Sequence, residues 1–228
     1  MPHWLDFFCY TMFVDRDGKF QLGMLSTSAF KPLAASMGPM LKEESFHLGT
    51  GSNGLRRIIK AGVIPLDMLQ RYINKWVSTA HDLFGVDESS SAHWAYVWGI
   101  KGRWDERLKL ENNLEVDKET LNEEARLHYH EEIVLEVEKL NGYLPEGSTP
   151  LYVPHENFNR EIGTYKRQRF TVEGEAFTGS DDEWETYVHN HLPRAQDEED
   201  LKELFKQEWV AEKPMTARQI ASGIGASA

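Results

Sequence analysis

The chain is poor in cysteine and in basic residues, and both shortages exclude classes of protein. Its 228 residues include one cysteine, Cys9, which rules out an internal disulfide and is typical of a reducing cytosol. The charge is −12, from 37 acidic and 25 basic residues, which excludes general affinity for nucleic acid because phosphate neutralisation needs a basic surface. No apolar run could span a membrane and no signal peptide is visible. The composition therefore predicts a cytoplasmic protein of one or two domains.

Strand-like alternation is also scarce, whereas apolar residues recur at helical spacing, so we expect a mainly α fold. Only residues 150–153 and 169–172 resemble strands. Residues 49–54 (GTGSNG) predict a loop, residues 142–179 an irregular connection and residues 216–228 a disordered tail. The predicted helices cover residues 3–28, 33–48, 55–61, 66–84, 117–140 and 197–210, with a short helix that begins after Ser180.

One helical stripe carries polar residues where apolar ones are expected. Leu33, Met37 and Met40 lead, at steps of four and three, to Glu44 and His47. This spacing marks the inward face of a packed helix, where an ionised group needs a partner. Glu-x-x-His places both side chains on one helix face, as in carboxylate-bridged di-metal bundles. The pair predicts metal ligands; the alternative is a solvated pair near a helix end.

A second stripe places Asp15 among apolar residues of the first helix. An antiparallel hairpin that turns near residues 30–32 brings Asp15 level with Glu44, because the two lie 29 residues apart and both helices rise equally. Asp17 is expected to face solvent, and Asp6 lies more than two turns from the required level. Pro39 should kink or restart the second helix.

Other candidates for chemistry carry weaker signals. The aromatic segment from Trp94 to Trp104 is typical of a core. Four basic residues stand out in an acidic chain and predict either ordinary surface charge or a phosphate-binding patch: Arg160, Lys166, Arg167 and Arg169.

Four segments together resemble the oxygenase component of the benzoyl-CoA epoxidases, a family of ferritin-like di-iron carboxylate proteins. They are Met12–Leu22 (MFVDRDGKFQL), Lys42–His47 (KEESFH), Ser89–Arg103 (SSSAHWAYVWGIKGR) and Val153–Gly163 (VPHENFNREIG). The resemblance implies a four-helix bundle that holds two irons, uses dioxygen and electrons from a separate NADPH-dependent reductase, and epoxidises the ring of an aryl-CoA thioester. By position it assigns Asp15, Glu44 and His47 as iron ligands.

The resemblance covers only the second half of such a bundle. A further carboxylate and a second Glu-x-x-His are absent, so we expect half of a ferritin-like bundle, residues 1–62, followed by a helical, loop-rich elaboration over residues 63–228. The missing ligands would come from an N-terminal half, a partner chain or a symmetric second copy, and this chain alone would be inactive. Two other functions stay open: a non-catalytic helical protein with a buried Glu–His pair, and a ferritin-like iron-binding protein.

Overall fold

The computed structural model describes residues 3–115 and 120–205, which form a mainly α-helical structure. Over these residues it has no strand, only one isolated bridge between Phe170 and Ala176, and no helix long and apolar enough to cross a membrane. The chain divides into two compact units between Pro193 and Arg194. The helices are α1 (Trp4–Leu25), α2 (Lys31–Ala61), α3 (Leu66–Leu83), α4 (Ser90–Val97), α5 (Glu106–Glu111), α6 (Leu121–Asn141), α7 (Asp181–His191) and α8 (Ala195–Phe205).

The predicted hairpin is formed by α1 and α2. The His3 imidazole caps α1 by accepting a hydrogen bond from the Asp6 backbone N–H at 3.1 Å. A short turn follows, and α2 begins next to Pro32, whose missing N–H does no harm in a first helical turn. Gly62 then ends α2 in the left-handed conformation, with a φ of 65°.

The predicted restart of the helix at Pro39 and the predicted loop at residues 49–54 are both wrong. Pro39 lies inside one continuous helix, and the predicted loop at residues 49–54 is helical. Gly51 and Gly54 serve helix packing: a Cβ at Gly51 would lie 2.5 Å from the Met12 backbone nitrogen, and one at Gly54 would overlap the Phe8 ring. The glycines therefore allow close contact between α1 and α2, which a turn-based reading of the sequence misses.

Helices α3 and α6 pack against α1 and make its other faces buried. Cys9 is fully buried, and burial raises the pKa of its thiol well above the ordinary value. The expectation that Asp17 faces solvent is wrong: Asp17 is 3% exposed and accepts a hydrogen bond from Gln21 Nε2 at 3.1 Å. Arg16 joins α1 to α6 through an ion pair with Glu132.

The aromatic segment is less buried than its composition suggested. Trp94 and Trp98 are 50% and 66% exposed, with 5.6 Å between their ring centroids. Trp104 differs, because its ring contacts buried Phe20 at 5.4 Å. The segment after α4 is held by its backbone, since the Ala29 N–H donates to the Gly99 carbonyl, and this attachment needs no buried ring.

The helix contact predicts opposite effects for two glycines of α2. Replacing Gly51 by Ala should destabilise the protein by about 1–3 kcal/mol, because the new methyl group must push α1 and α2 apart. The control, Gly49→Ala, should stabilise it by about 0.5–1 kcal/mol, because the helix gains a better helix former and no atom lies within 4 Å of the new Cβ. Urea unfolding measures the change in the free energy of unfolding of each variant. Equal changes in the two variants would contradict the proposed role of Gly51.

Candidate metal centre

The hairpin brings the three predicted ligands together. Asp15 lies in the middle of α1, and Glu44 and His47 occupy successive turns of α2. The Nδ1 atom of His47 lies 3.7 Å from Asp15 Oδ2 and 3.5 Å from Glu44 Oε2. One potential ligand atom from each residue lies within 4.8 Å of the other two. Elsewhere in residues 3–115 and 120–205, no other three acidic, histidine or cysteine side chains converge in this way.

The convergence depends on two features of the hairpin. The short connection between Leu25 and Lys31 makes the helices antiparallel, and α2 keeps one helical register past Pro39, so the 29-residue spacing translates into equal height along the axis. Gly18 lies beside the site, where its missing side chain leaves space: a Cβ there would still lie 3.7 Å from the Glu44 carboxyl carbon.

The site concentrates negative charge in partly buried surroundings. Burial raises the pKa of the Asp15 carboxyl to about 6, the Glu44 carboxylate adds to the rise, and His47 opposes it. Glu44 Oε2 is buried and has no hydrogen-bond partner. A buried carboxylate oxygen that accepts no hydrogen bond is costly, and here His47 Nδ1 lies 3.5 Å away without forming one.

The donor set fits a divalent transition metal. Two carboxylates and one imidazole are oxygen and nitrogen donors of the kind that bind iron, and Glu44 Oε2 accepts no hydrogen bond that a metal would have to displace. The His47 side chain is 53% exposed, whereas the Asp15 and Glu44 side chains are 15% and 19% exposed. The site is therefore open to solvent on the side of His47, and three ligand side chains leave room for further ligands.

The structure places the four predicted phosphate-binding residues in different surroundings. Arg160 is buried, pairs with Asp82 and stacks over Tyr165 at 4.3 Å, so its guanidinium supports the fold and is not free to bind phosphate. Lys166 and Arg167 are exposed. Arg169 pairs with Asp181 at 2.8 Å.

Arg167 lines a surface cavity of about 850 Å³. The cavity also carries two carboxylates, from Glu88 and Glu123, together with Tyr165 and Gln168. These carboxylates oppose the binding of an anion that enters deeply. A phosphate contact by Arg167 therefore belongs at the mouth of the cavity.

Sequence reasoning missed two polar clusters outside the hairpin site. His81 is fully buried, with Nε2 3.2 Å from His130 Nδ1, and burial holds the pKa of His81 well below its ordinary value. Asp6 is 3% exposed and accepts hydrogen bonds from Lys75 and Trp76. Both clusters join helices that are far apart in sequence, so no spacing within one helix could indicate them.

A helical hairpin that carries two carboxylates and a histidine at one level defines a helical protein with a candidate carboxylate–histidine metal centre. The chain belongs to the phenylacetic acid catabolic protein family, whose model matches residues 1–151. Benzoyl-CoA oxygenase component B of Aromatoleum evansii is 33% identical to it over 237 residues, which cover 86% of this chain and 50% of the relative. The chain thus spans about half the length of this curated relative.

The raised pKa of Asp15 predicts a pH-dependent stability of the metal-free protein. The folded-state pKa of about 6 exceeds the unfolded value of about 3.9, so the folded state binds the proton more tightly. Protonated Asp15 therefore contributes to the free energy of unfolding at low pH, and this contribution is lost as pH rises from about 4 through 6. Asp15→Asn should therefore stabilise the metal-free protein at pH 7.5 by about 1 kcal/mol, after allowance for solvent screening.

Urea unfolding between pH 4 and 7.5 tests this difference, which should vanish at the acid end. Glu43→Gln is the control, because Glu43 is an exposed neighbour of Glu44 and should leave stability unchanged. A pH-independent difference between Asp15→Asn and the unchanged protein would contradict the electrostatic explanation.

Proposed function

We propose that this chain supplies half the ligands of a di-iron centre in an oxygenase that epoxidises the aromatic ring of an aryl-CoA thioester. The observation that carries this proposal is the convergence of Asp15, Glu44 and His47, in which the buried Glu44 Oε2 atom accepts no hydrogen bond. Membership of the phenylacetic acid catabolic family and the name of the benzoyl-CoA oxygenase relative support the reaction class. Dioxygen and electrons from a separate NADPH-dependent reductase complete the proposed reaction.

The side chains of the hairpin have separate tasks in this proposal. Asp15 and Glu44 hold iron through hard oxygen donors, which favour its oxidised state, and His47 adds a nitrogen donor. Bound iron would supply the activation of dioxygen for insertion into the ring. Met12 precedes Asp15 by one turn and Met37 precedes Glu44 by two turns, on the same helix faces, and both are buried, so the helix contact next to the site is dry.

The remaining ligands are proposed to come from a further helical segment, either another part of a longer polypeptide or a partner chain. Exposed apolar side chains on α1 and α2 agree with such a cover: Trp4 is 60%, Met40 43% and Phe46 76% exposed. His47 is itself half-exposed on this pair of helices. A segment that packs there would bury apolar surface and complete the metal centre together.

Metal analysis tests the proposed centre. In an assembly with the covering segment, Glu44→Gln should reduce iron affinity by more than about 10-fold. Loss of a residue that only hydrogen-bonds to a ligand already costs about this much, and loss of a ligand itself should cost more. Glu43→Gln is the matched control and should retain iron, since Glu43 is exposed on the adjacent position. Both are read by iron content and by the absorption spectrum.

The chain by itself provides a second arm of this test. It should bind iron(II) weakly, because it offers three ligand side chains. Two tightly held irons in a monomer of this chain would contradict the half-site, and equal iron loss in Glu43→Gln and Glu44→Gln would contradict the assignment of Glu44.

For the substrate, we propose that Lys166, Arg167 and Arg169 contact the CoA phosphates, whereas Arg160 is buried and paired with Asp82. In the complete enzyme, Arg167→Ala with Arg169→Ala should weaken aryl-CoA binding by roughly 3 kcal/mol, over about a hundredfold, if each contact contributes at the lower end for a charged hydrogen bond. The loss should shrink at high salt, because exposed charges are screened.

Calorimetry of aryl-CoA binding measures this loss, and iron content should stay unchanged. Lys139→Ala, an exposed lysine of α6 that pairs with Glu136, is the control for a change in surface charge. Unchanged affinity in the double arginine variant would move the CoA site elsewhere, with Arg56, Arg57 and Lys60 as the next candidates.

A further inference from the structure

Helix α1 carries a glycine beside the candidate metal centre that helix packing does not require. Gly18 lies in the interior of α1, where glycine weakens a helix relative to alanine. Gly51 and Gly54 of α2 differ, because a Cβ at these positions would meet atoms of α1 at 2.5 Å and 2.2 Å. At Gly18 the atoms nearest to a Cβ lie 3.7 Å away, which is ordinary van der Waals contact. Alanine would therefore fit at position 18, and the glycine needs another explanation.

The space beside Gly18 adjoins one carboxylate. The three heavy atoms nearest to a Cβ at position 18 all come from Glu44, with Cδ and Oε1 at 3.7 Å and Oε2 at 3.9 Å. Gly18 follows Asp15 by three residues, so the two lie on one face of α1. A side chain longer than that of alanine at position 18 would therefore enter the space beside the Glu44 carboxylate, within the candidate metal centre.

The Glu44 carboxylate lacks a donor at the place where α1 could supply one. Its Oε2 atom is buried and accepts no hydrogen bond, and His47 Nδ1, which lies 3.5 Å away, belongs to α2 itself. Buried polar atoms are normally hydrogen-bonded, and position 18 is a point on α1 from which a side chain could reach this carboxylate. Glycine has no side-chain donor. The residue type at position 18 therefore decides whether a protein donor holds the carboxylate.

We propose that Gly18 is a positioning residue that keeps the Glu44 carboxylate free of side-chain donors from α1, so that the carboxylate remains available to a metal ion. This inference rests on the proposed function, because it concerns the metal affinity of the same centre. A buried carboxylate oxygen without a hydrogen bond destabilises the metal-free protein, and a bound metal ion relieves that cost. A donor at position 18 would relieve the cost beforehand and would thereby weaken metal binding.

Two variants that differ by one oxygen atom test this role. Gly18→Ala adds a methyl group that fits, whereas Gly18→Ser adds a hydroxyl donor one bond closer to Glu44. The full chain is titrated with cobalt(II), which takes oxygen and nitrogen donors as iron(II) does and reports binding by its visible absorption. Gly18→Ala should leave the affinity unchanged. Gly18→Ser should lower it by about tenfold or more, because a hydrogen bond to a charged group must be broken before the metal binds.

The second glycine of α1 provides the matched control. A Cβ at Gly23 would also lie at an ordinary contact distance, 3.9 Å, but from atoms of Trp104 and not from a proposed ligand. Gly23→Ser and Gly23→Ala should therefore bind cobalt(II) equally well. Equal affinities of Gly18→Ser and Gly18→Ala, whether unchanged or lowered, would overturn the inference, because the hydroxyl group would then have no effect.

Unfolding of the metal-free protein separates this inference from the proposed function. In urea, Gly18→Ser should unfold at a higher midpoint than Gly18→Ala, although alanine is the better helix former, because the hydroxyl satisfies Glu44. The order should reverse when Glu44→Ala is also present, since helix propensity alone then decides. An unchanged chain that binds no cobalt(II) would contradict the proposed metal centre, whereas an order that does not depend on Glu44 would overturn only the role of Gly18.

Discussion

The close contact between α1 and α2 is the constraint on which the rest of the structure depends. Gly51 lies against the backbone of α1, so the two helix axes approach more closely than side chains would allow. Because residues on each helix rise by about 1.5 Å, this contact fixes which turn of α2 lies opposite which turn of α1. Asp15, Glu44 and His47 meet as a consequence of a packing interaction that contains none of them.

The same packing makes the ligand residues unfavourable in the absence of a cation. Asp15 carries a pKa raised to about 6, and Glu44 has a buried oxygen that accepts no hydrogen bond. Stability and function oppose each other at such a site. Replacing the carboxylates by neutral or apolar residues would make the metal-free protein more stable, but it would remove the groups proposed to bind metal. Protons and metal ions compete for the same oxygens, so metal binding here should release protons near neutral pH.

Sequence reasoning succeeded where the periodicity of one helix decided the structure. It failed where a local turn signal and packing against a distant helix favour different structures. The stripe with Glu44 and His47, and the spacing to Asp15, depend only on helix geometry, and they predicted the convergence correctly. The glycines at 51 and 54 carry a strong turn signal, but close packing against α1 explains them better. Local propensity cannot reveal a contact made by a residue forty positions away.

The errors at Asp17 and Arg160 have a related cause. A helix in a packed protein has more than one covered side, so the direction opposite Asp15 leads to another helix and not to solvent, and Asp17 is buried there. Arg160 was grouped with its basic neighbours by sequence alone, whereas Asp82, which lies 78 residues earlier, neutralises it inside the fold. Charge counted along a chain does not show which charges are already paired.

Burial of the hairpin surface and completion of the proposed metal centre should be coupled in this protein. The exposed apolar side chains and the half-exposed His47 lie on α1 and α2, so a segment that packs along both helices and covers His47 also covers the proposed metal site. If that segment carries the remaining ligands, apolar burial and metal coordination contribute to a single association. Iron would then be held only when the cover is in place, which would also limit dioxygen chemistry to the assembled, water-excluding state.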